Sequence, residues 1–286
     1  MGRLKMDRRL IINADDFGLC EGVNRGIVQA HKDGVLTSAT IMVSMPSADE
    51  AVEAARSLSG LGVGVHLNLT EGRPVSEDVS VRCLLDSNGC FAYSPSKLAL
   101  MSVFGKVKRA IRAEFAAQIQ WFIDRGIRPT HLDFHKHIHC FPTLFTIVCE
   151  LAGQFDVSAV RFAFEPGWIS RKPWPAPGDN GPKRARKVRF MARINRLQNR
   201  SLLKTDALLG VAHTGKIDVG FFEAVVRDKR ILTAEVMTHP GYIDGLNPAK
   251  TRLVEQRKKE LDALCSEKTR QYIEEAGIKL VHYGQL

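Results

Sequence analysis

Short apolar runs alternate with longer amphipathic stretches along the chain. Residues 9–14, RLIINA, read as a buried strand that stops at Asp15-Asp16-Phe17-Gly18. Val23, Ile27 and Ala30 then recur at helical spacing over residues 22–33, and Gly34 follows as a C-cap. Residues 38–44 and 61–67 read as further strands, with a helix over 48–57 opened by Pro46-Ser47 between them. Residues 72–102 show no periodicity and carry turn signals at Ser87-Asn88-Gly89 and Ser94-Pro95. A long amphipathic helix is expected over 104–125 and another from Pro142 to about 152, with strands at 130–135 and 158–164. Strands at 208–212, 232–237 and 279–283 close the pattern, with helices near 219–229 and 249–275 between them.

Strands separated by helices predict a parallel sheet with right-handed crossovers. Seven or eight strands in that rhythm predict an α/β barrel, not a flat doubly wound sheet. No G-x-G-x-x-G follows a strand, which argues against a dinucleotide-binding fold. There is no internal repeat or composition break, so residues 1–286 are expected to form one barrel domain, with 72–102 and 168–205 as loop and helix insertions.

Polar residues collect at the carboxyl ends of these strands, the face on which such barrels carry their active sites. Strand one ends in Asp15-Asp16, strand three in His66 followed by Asn68, and a later strand in His239. Residues 131–139 alternate polar with apolar. While extended, they place His131, Asp133 and His135 on one face, with His137 and His139 beyond. Asn13 precedes the aspartate pair, and Arg161 lies within a strand. A single buried histidine is ordinarily a satisfied core residue, and an Asp pair can cap a helix. Four histidines and an aspartate together are hard to satisfy without a cation or a substrate. One carboxylate with two imidazoles makes an open divalent-cation site. A neighbouring carboxylate can then take a water proton and a histidine opposite can protonate a leaving amine. Asp15 or Asp16 as base and His239 as acid would suit amide hydrolysis.

The chain has 286 residues and a net charge of +10, which points to an anionic partner without bearing on the fold. Residues 168–204 hold eleven Lys or Arg against one acidic residue, Asp179. Their second half sets Val188, Phe190, Met191, Ile194 and Leu197 among arginines. Three readings stay open for 183–204: a solvated helix packed on the barrel, a peripheral contact with an anionic membrane, and, least favoured, nucleic-acid binding. Sparse aromatics and the lack of any nucleic-acid motif mean no nucleic acid is expected. The six cysteines form no C-x-x-C, and free thiols in a reducing cytosol are expected. The basic start lacks a signal-type apolar stretch, Met6 breaks the myristoylation pattern, and no run of 18 apolar residues occurs. A cytoplasmic protein is expected, with contact to the inner membrane face as an open addition; a homodimer also stays open.

Four segments are similar to motifs of one known family: NADDFG at 13–18, GVHLNLTEGRP at 64–74, PTHLDFHKHIH at 129–139 and MTHPGY at 237–242. They resemble the YdjC-like, chitooligosaccharide deacetylase family, in the family's order and over nearly the whole chain. The resemblance implies a distorted TIM-like barrel related to polysaccharide deacetylases. It implies Asp15 as general base, Asp16, His66 and His135 as metal ligands, and His239 as general acid. Asn13, Asn68, His131, Asp133, His137 and His139 stay as substrate-facing or supporting candidates because a ligating imidazole needs partners, and Arg161 could orient Asp15 or the substrate or form a structural ion pair. Phe134 and Lys136 depart from the family's usual HLDSHHHVH, and Lys136 could either reach an anionic or sugar group or turn to solvent. The His-Lys-His-x-His version is similar to a subgroup linked to hopanoid biosynthesis, which implies an N-acetylglucosaminyl lipid as substrate. Imidazole ligands favour zinc, while the family resemblance includes magnesium, so one divalent cation, Zn or Mg, is expected. The reaction implied is deacetylation of an N-acetylglucosamine-containing sugar or glycolipid. The alternatives are a metal-dependent phosphoesterase on the same barrel, and a basic protein that only binds membrane surfaces.

Overall fold

The computed structural model describes residues 7–169, 180–195, 202–230, 232–249 and 251–286, and leaves out the side chain of His139. Among the described residues, seven strands, all parallel, form one sheet: β1 (Arg9–Phe17), β2 (Ser38–Ile41), β3 (Gly62–Leu67), β4 (Leu132–Phe134), β5 (Ala207–Leu209), β6 (Thr233–Thr238) and β7 (Lys279–Leu280). The order is β4-β3-β2-β1-β6-β5, with β7 paired to the start of β1. Helices α1 (Glu21–Lys32), α2 (Ala48–Ser57), α3 (Pro95–Met101), α4 (Gly105–Asp124), α5 (Pro142–Gln154), α6 (Gly181–Asn195), α7 (Val219–Arg227), α8 (Glu255–Leu264) and α9 (Glu267–Glu275) flank it. The sheet curls into a distorted TIM-like barrel. Residues 158–164, expected as a full strand, carry only isolated bridges. They still span the gap between the sheet's ends, because Arg161 N donates to Leu132 O and Leu208 N donates to Phe164 O.

Strands buried on both faces account for the near-continuous apolar runs in the sequence. On β1, Leu10, Ile12 and Ala14 pack into the main core under the helices, while Ile11 joins a small cluster with Ala159, Val281 and Tyr283. The second face is the barrel interior, and Asn13 and Asp15 lie on it by the same alternation. That interior is unusually polar. Thr40, His66, Asp133, Arg161, Glu235 and Tyr283 all belong to one buried hydrogen-bonded column.

Two other expectations change. Residues 72–102 are not wholly irregular: they hold a 3₁₀ turn at Val79–Leu84 and helix α3, capped by the Ser94 hydroxyl. The expected helix over 249–275 is two helices, α8 and α9, separated at Cys265-Ser266. The basic amphipathic helix is present as α6, with Ala185, Val188 and Ala192 buried. Its surroundings at 170–179 and 196–201, including Leu197, lie outside the described residues. All six cysteines are free. Among the described residues no helix is long and apolar enough to cross a membrane.

Candidate active site

Neighbouring residues on a regular strand point to opposite faces, so Asp15 and Asp16 could not share a site on an ideal β1. The pairing of β1 with β2 slips between Ala14 and Phe17, and Asp16 takes a left-handed φ of 68°. This bulge turns both carboxylates towards the same cavity, of about 820 Å³, above the carboxyl ends of the strands. His239, from the end of β6, lines it as well.

His66 on β3 and Asp133 on β4 are register partners. The His66 Nδ1 lies 2.7 Å from Asp133 Oδ1, and Thr40 donates to Asp133 Oδ2 at 3.0 Å. With Nδ1 held by a carboxylate, Nε2 is the nitrogen left to face Asp16 Oδ1, 3.5 Å away. β4 ends at Phe134, and His135 opens a kinked turn in which Lys136 and His137 adopt left-handed φ of 56° and 53°. The turn brings His135 Nδ1 to 3.2 Å from Asp16 Oδ1 and its Nε2 to 3.1 Å from Glu71 Oε1. The Arg257 guanidinium donates to the other oxygen of Asp16, Oδ2, at 2.6 Å. Asp16 Oδ1 is therefore buried, accepts no well-aligned hydrogen bond and faces two imidazole nitrogens.

That orphaned oxygen and its two nitrogen neighbours fit a divalent cation. Asp16, His66 and His135 can offer ligand atoms all within 4.8 Å of one another. Asp15, His66 and Asp133 form a second group by the same distance test, but their carboxylate oxygens are already committed. Asp15 receives Arg161 Nη1 and Nη2 at 2.8 and 2.6 Å and Asn13 Nδ2 at 3.0 Å. Asp133 is held by His66, Thr40 and Arg161. The first group is the one with a donor to spare.

Burial works against a charged Asp15, but the Arg161 fork outweighs it and holds the carboxyl well below the ordinary carboxylate range. Arg161 is itself fully buried between Asp15, Asp133 and Glu235, and these carboxylates keep it charged against the cost of desolvation. His239 Nε2 stands 3.9 Å from Asp15 Oδ2, and burial pulls its pKa down to about 4. The site thus sets an ionised carboxylate beside a neutral imidazole.

The other candidates separate. Lys136 lines the cavity and pairs its ammonium with Glu71 at 2.6 Å while its side chain stays 43% exposed, so it reaches the site and solvent together. His137 also lines the cavity, and burial pulls its pKa down to about 3. Asn68 does not line it: its amide donates to Ser44 Oγ and to Glu71 O, fixing the turn that carries Glu71. His131 does not line the cavity; it stacks on the Tyr283 ring at 4.0 Å. Gly64 makes room for it, since a Cβ there would lie 2.6 Å from the His131 ring. The His139 side chain lies outside the described residues.

Sequence reasoning missed Glu71, Arg257 and Glu260. Glu71 lay inside a quoted motif, one polar residue in a run of them. Arg257 and Glu260 belong to EQRKKELDAL, which reads as a solvated charged helix, yet both are buried.

Residues 9–275 match the profile of a protein family described as YdjC-like protein. A carbohydrate deacetylase of Brevibacillus brevis is 34% identical over 279 residues, covering 97% of this chain and 99% of that one. A chitooligosaccharide deacetylase of Proteus mirabilis is 32% identical over 286 residues, covering 98% of this chain and all of that one (100%). Among solved structures, a protein from Enterococcus faecalis V583 described as a cellobiose-phosphate cleavage protein superimposes with a TM-score of 0.77 at 27% identity, covering 98% of each chain.

Proposed function

The chain belongs to the YdjC-like protein family, and we propose from that footing that it is a metal-dependent carbohydrate deacetylase, removing acetate from an N-acetylated sugar. The observation that carries this reading is the meeting, at one cavity, of Asp16 and His135, with His66 buried behind Asp16, and of the Arg161-bound Asp15 and His239. The full-length likeness to proteins named carbohydrate deacetylase and chitooligosaccharide deacetylase supports the substrate class.

Asp16, His66 and His135 are the residues that would hold the cation. When bound, a divalent cation would supply Lewis acidity, polarising the acetamide carbonyl and acidifying a water beside it. Asp15 takes the proton from the attacking water. Arg161 keeps Asp15 ionised and aimed, so that the base is ready at neutral pH. His239, neutral at rest and within 4 Å of Asp15, takes over the proton that Asp15 drew from the water and passes it to the departing amine as the C–N bond breaks. The balance is one water consumed, one acetate and one amine released. A phosphoesterase with two cations would call on carboxylates free to bridge, and the Arg161 fork occupies both oxygens of Asp15.

We further propose a lipid-linked N-acetylglucosaminyl substrate. Arg184 of α6 lines the cavity, and Phe190 and Ile194 further along the same helix are exposed beside Arg186, Arg189 and Arg193. Apolar side chains set among arginines suit the surface of an anionic membrane, next to the mouth where a lipid-borne sugar would enter.

The test is acetate release from N-acetylglucosaminyl substrates, soluble and lipid-linked, with and without a chelator. Chelator-sensitive release is expected, faster on the lipid-linked form. No release from any of them, with hydrolysis of phosphoesters instead, would overturn the deacetylase reading.

A further inference from the structure

We propose that helix α8 is a positioning element for the reaction centre, with Arg257 orienting Asp16 and Glu260 orienting His239. The inference rests on the proposed roles of Asp16 as cation ligand and His239 as acid. Residues three apart share a helix face, and these two form the buried polar stripe of a helix whose other face is solvated. Arg257 is 1% exposed and Glu260 fully buried, whereas Lys258 pairs with Asp262 on the outer face.

Charged residues so deeply buried are retained only with partners, and the partners are telling. Arg257 donates from Nη2 to Asp16 Oδ2 at 2.6 Å and from Nε to Leu253 O at 3.2 Å. The contact takes one carboxylate oxygen and leaves Oδ1 facing His66 and His135. Asp16 sits at a positive φ on a bulge, where its backbone alone does not dictate the side-chain direction. Glu260 accepts from the backbone N–H of His239 at 2.6 Å and from that of Gly215 at 2.7 Å. It therefore pins the exit of β6, and with it the height of the His239 ring above Asp15, to the loop after β5. One rigid helix thus sets two groups that come from opposite ends of the chain.

The two arms are separable. Removing Arg257 has opposing effects on cation binding: the site becomes more negative, which favours a cation, and Asp16 loses its orientation, which disfavours it. Orientation is proposed to win. Calorimetric titration of the metal-free protein with Zn²⁺ alone should then show affinity falling about 10- to 100-fold in Arg257→Lys, which keeps the charge but not the reach, and falling also in Arg257→Met. Affinity unchanged in Arg257→Lys, or raised in Arg257→Met, would mean that only charge matters and would overturn this arm.

A glutamine at 260 can accept one N–H but sets its own donor against the other. Glu260→Gln should leave Zn²⁺ affinity within about twofold of wild type, shift the His239 imidazole resonances and lower kcat about 10- to 100-fold at unchanged KM. Lys258→Ala, on the solvated face, should change none of these. Parallel losses of Zn²⁺ affinity, kcat and Tm in both Arg257→Lys and Glu260→Gln would reduce α8 to a structural support. Should wild type release no acetate, the deacetylase reading fails alone, because the Zn²⁺ titration and the His239 resonances still decide the role of α8.

Discussion

Arg161 grips both oxygens of Asp15, at 2.6 and 2.8 Å, across 146 residues of chain; Arg161 is fully buried and Asp15 nearly so, open only to the cavity. The fork does two jobs. It keeps a buried carboxylate ionised, and it closes the barrel electrostatically where residues 158–164 fail to form a regular strand. Arg161 also serves Asp133 and Glu235. Arg161→Met would leave this acidic cluster without its cation, and breaking a buried pair in this way costs roughly 3–5 kcal/mol. Denaturant unfolding should register a loss of that size, and a variant as stable as wild type would contradict the account.

Asp15→Asn keeps the shape of the base and removes its proton affinity. General-base loss is expected to lower kcat about 10²- to 10⁴-fold. Zn²⁺ binding, measured calorimetrically, should persist, because Asp15 is committed to Arg161 and not to the ligand set. If Zn²⁺ binding vanished together with activity, Asp15 would belong among the ligands.

Asp133 holds His66 in the tautomer that presents Nε2. Asp133→Asn can no longer serve as a charged acceptor, and Zn²⁺ affinity should fall about 10- to 100-fold. An unaltered affinity would show that His66 needs no partner to present its nitrogen.

His135 titrates well above an ordinary imidazole. Burial opposes its charged form, but the Asp16 and Glu71 carboxylates on either side of the ring outweigh burial and push the pKa from 6.5 up to about 9. In the metal-free protein its protonation therefore contributes stability that is complete below about pH 6.5 and lost as the pH rises through about 9. A ligand imidazole must be neutral, so cation uptake inside that window releases a proton. Calorimetry near neutral pH in two buffers of different ionisation enthalpy should detect the proton, with affinity climbing towards pH 9. Heats independent of buffer would contradict this.

The exposed Phe190 and Ile194 give the membrane proposal its own test. Sedimentation with vesicles containing anionic lipid should retain the wild-type chain, less so at high salt. Phe190→Asp should weaken retention without touching acetate release from a soluble sugar. Equal retention on neutral vesicles, or none at all, would remove the membrane from the account.

Much of this site was legible in the chain. Apolar runs of strand length ending in Asp15-Asp16, His66 and His239 say which groups crown a parallel barrel, because side-chain alternation and strand polarity are local properties. The basic helix and most helix boundaries follow from periodicity in the same way. Local rules failed where the backbone leaves its regular period. The bulge at Asp16 reunites two aspartates that alternation would separate, and the turn at Lys136–His137 ends the alternation that the later histidines would otherwise follow. Tertiary structure alone decided the partners. Arg257 meets Asp16 across 241 residues and Glu260 meets His239 across 21, and no period in EQRKKELDAL distinguishes a buried charge from a solvated one. Burying a charge is unfavourable until its partner is in place, and that partner is supplied by the closed fold, not by neighbours in sequence.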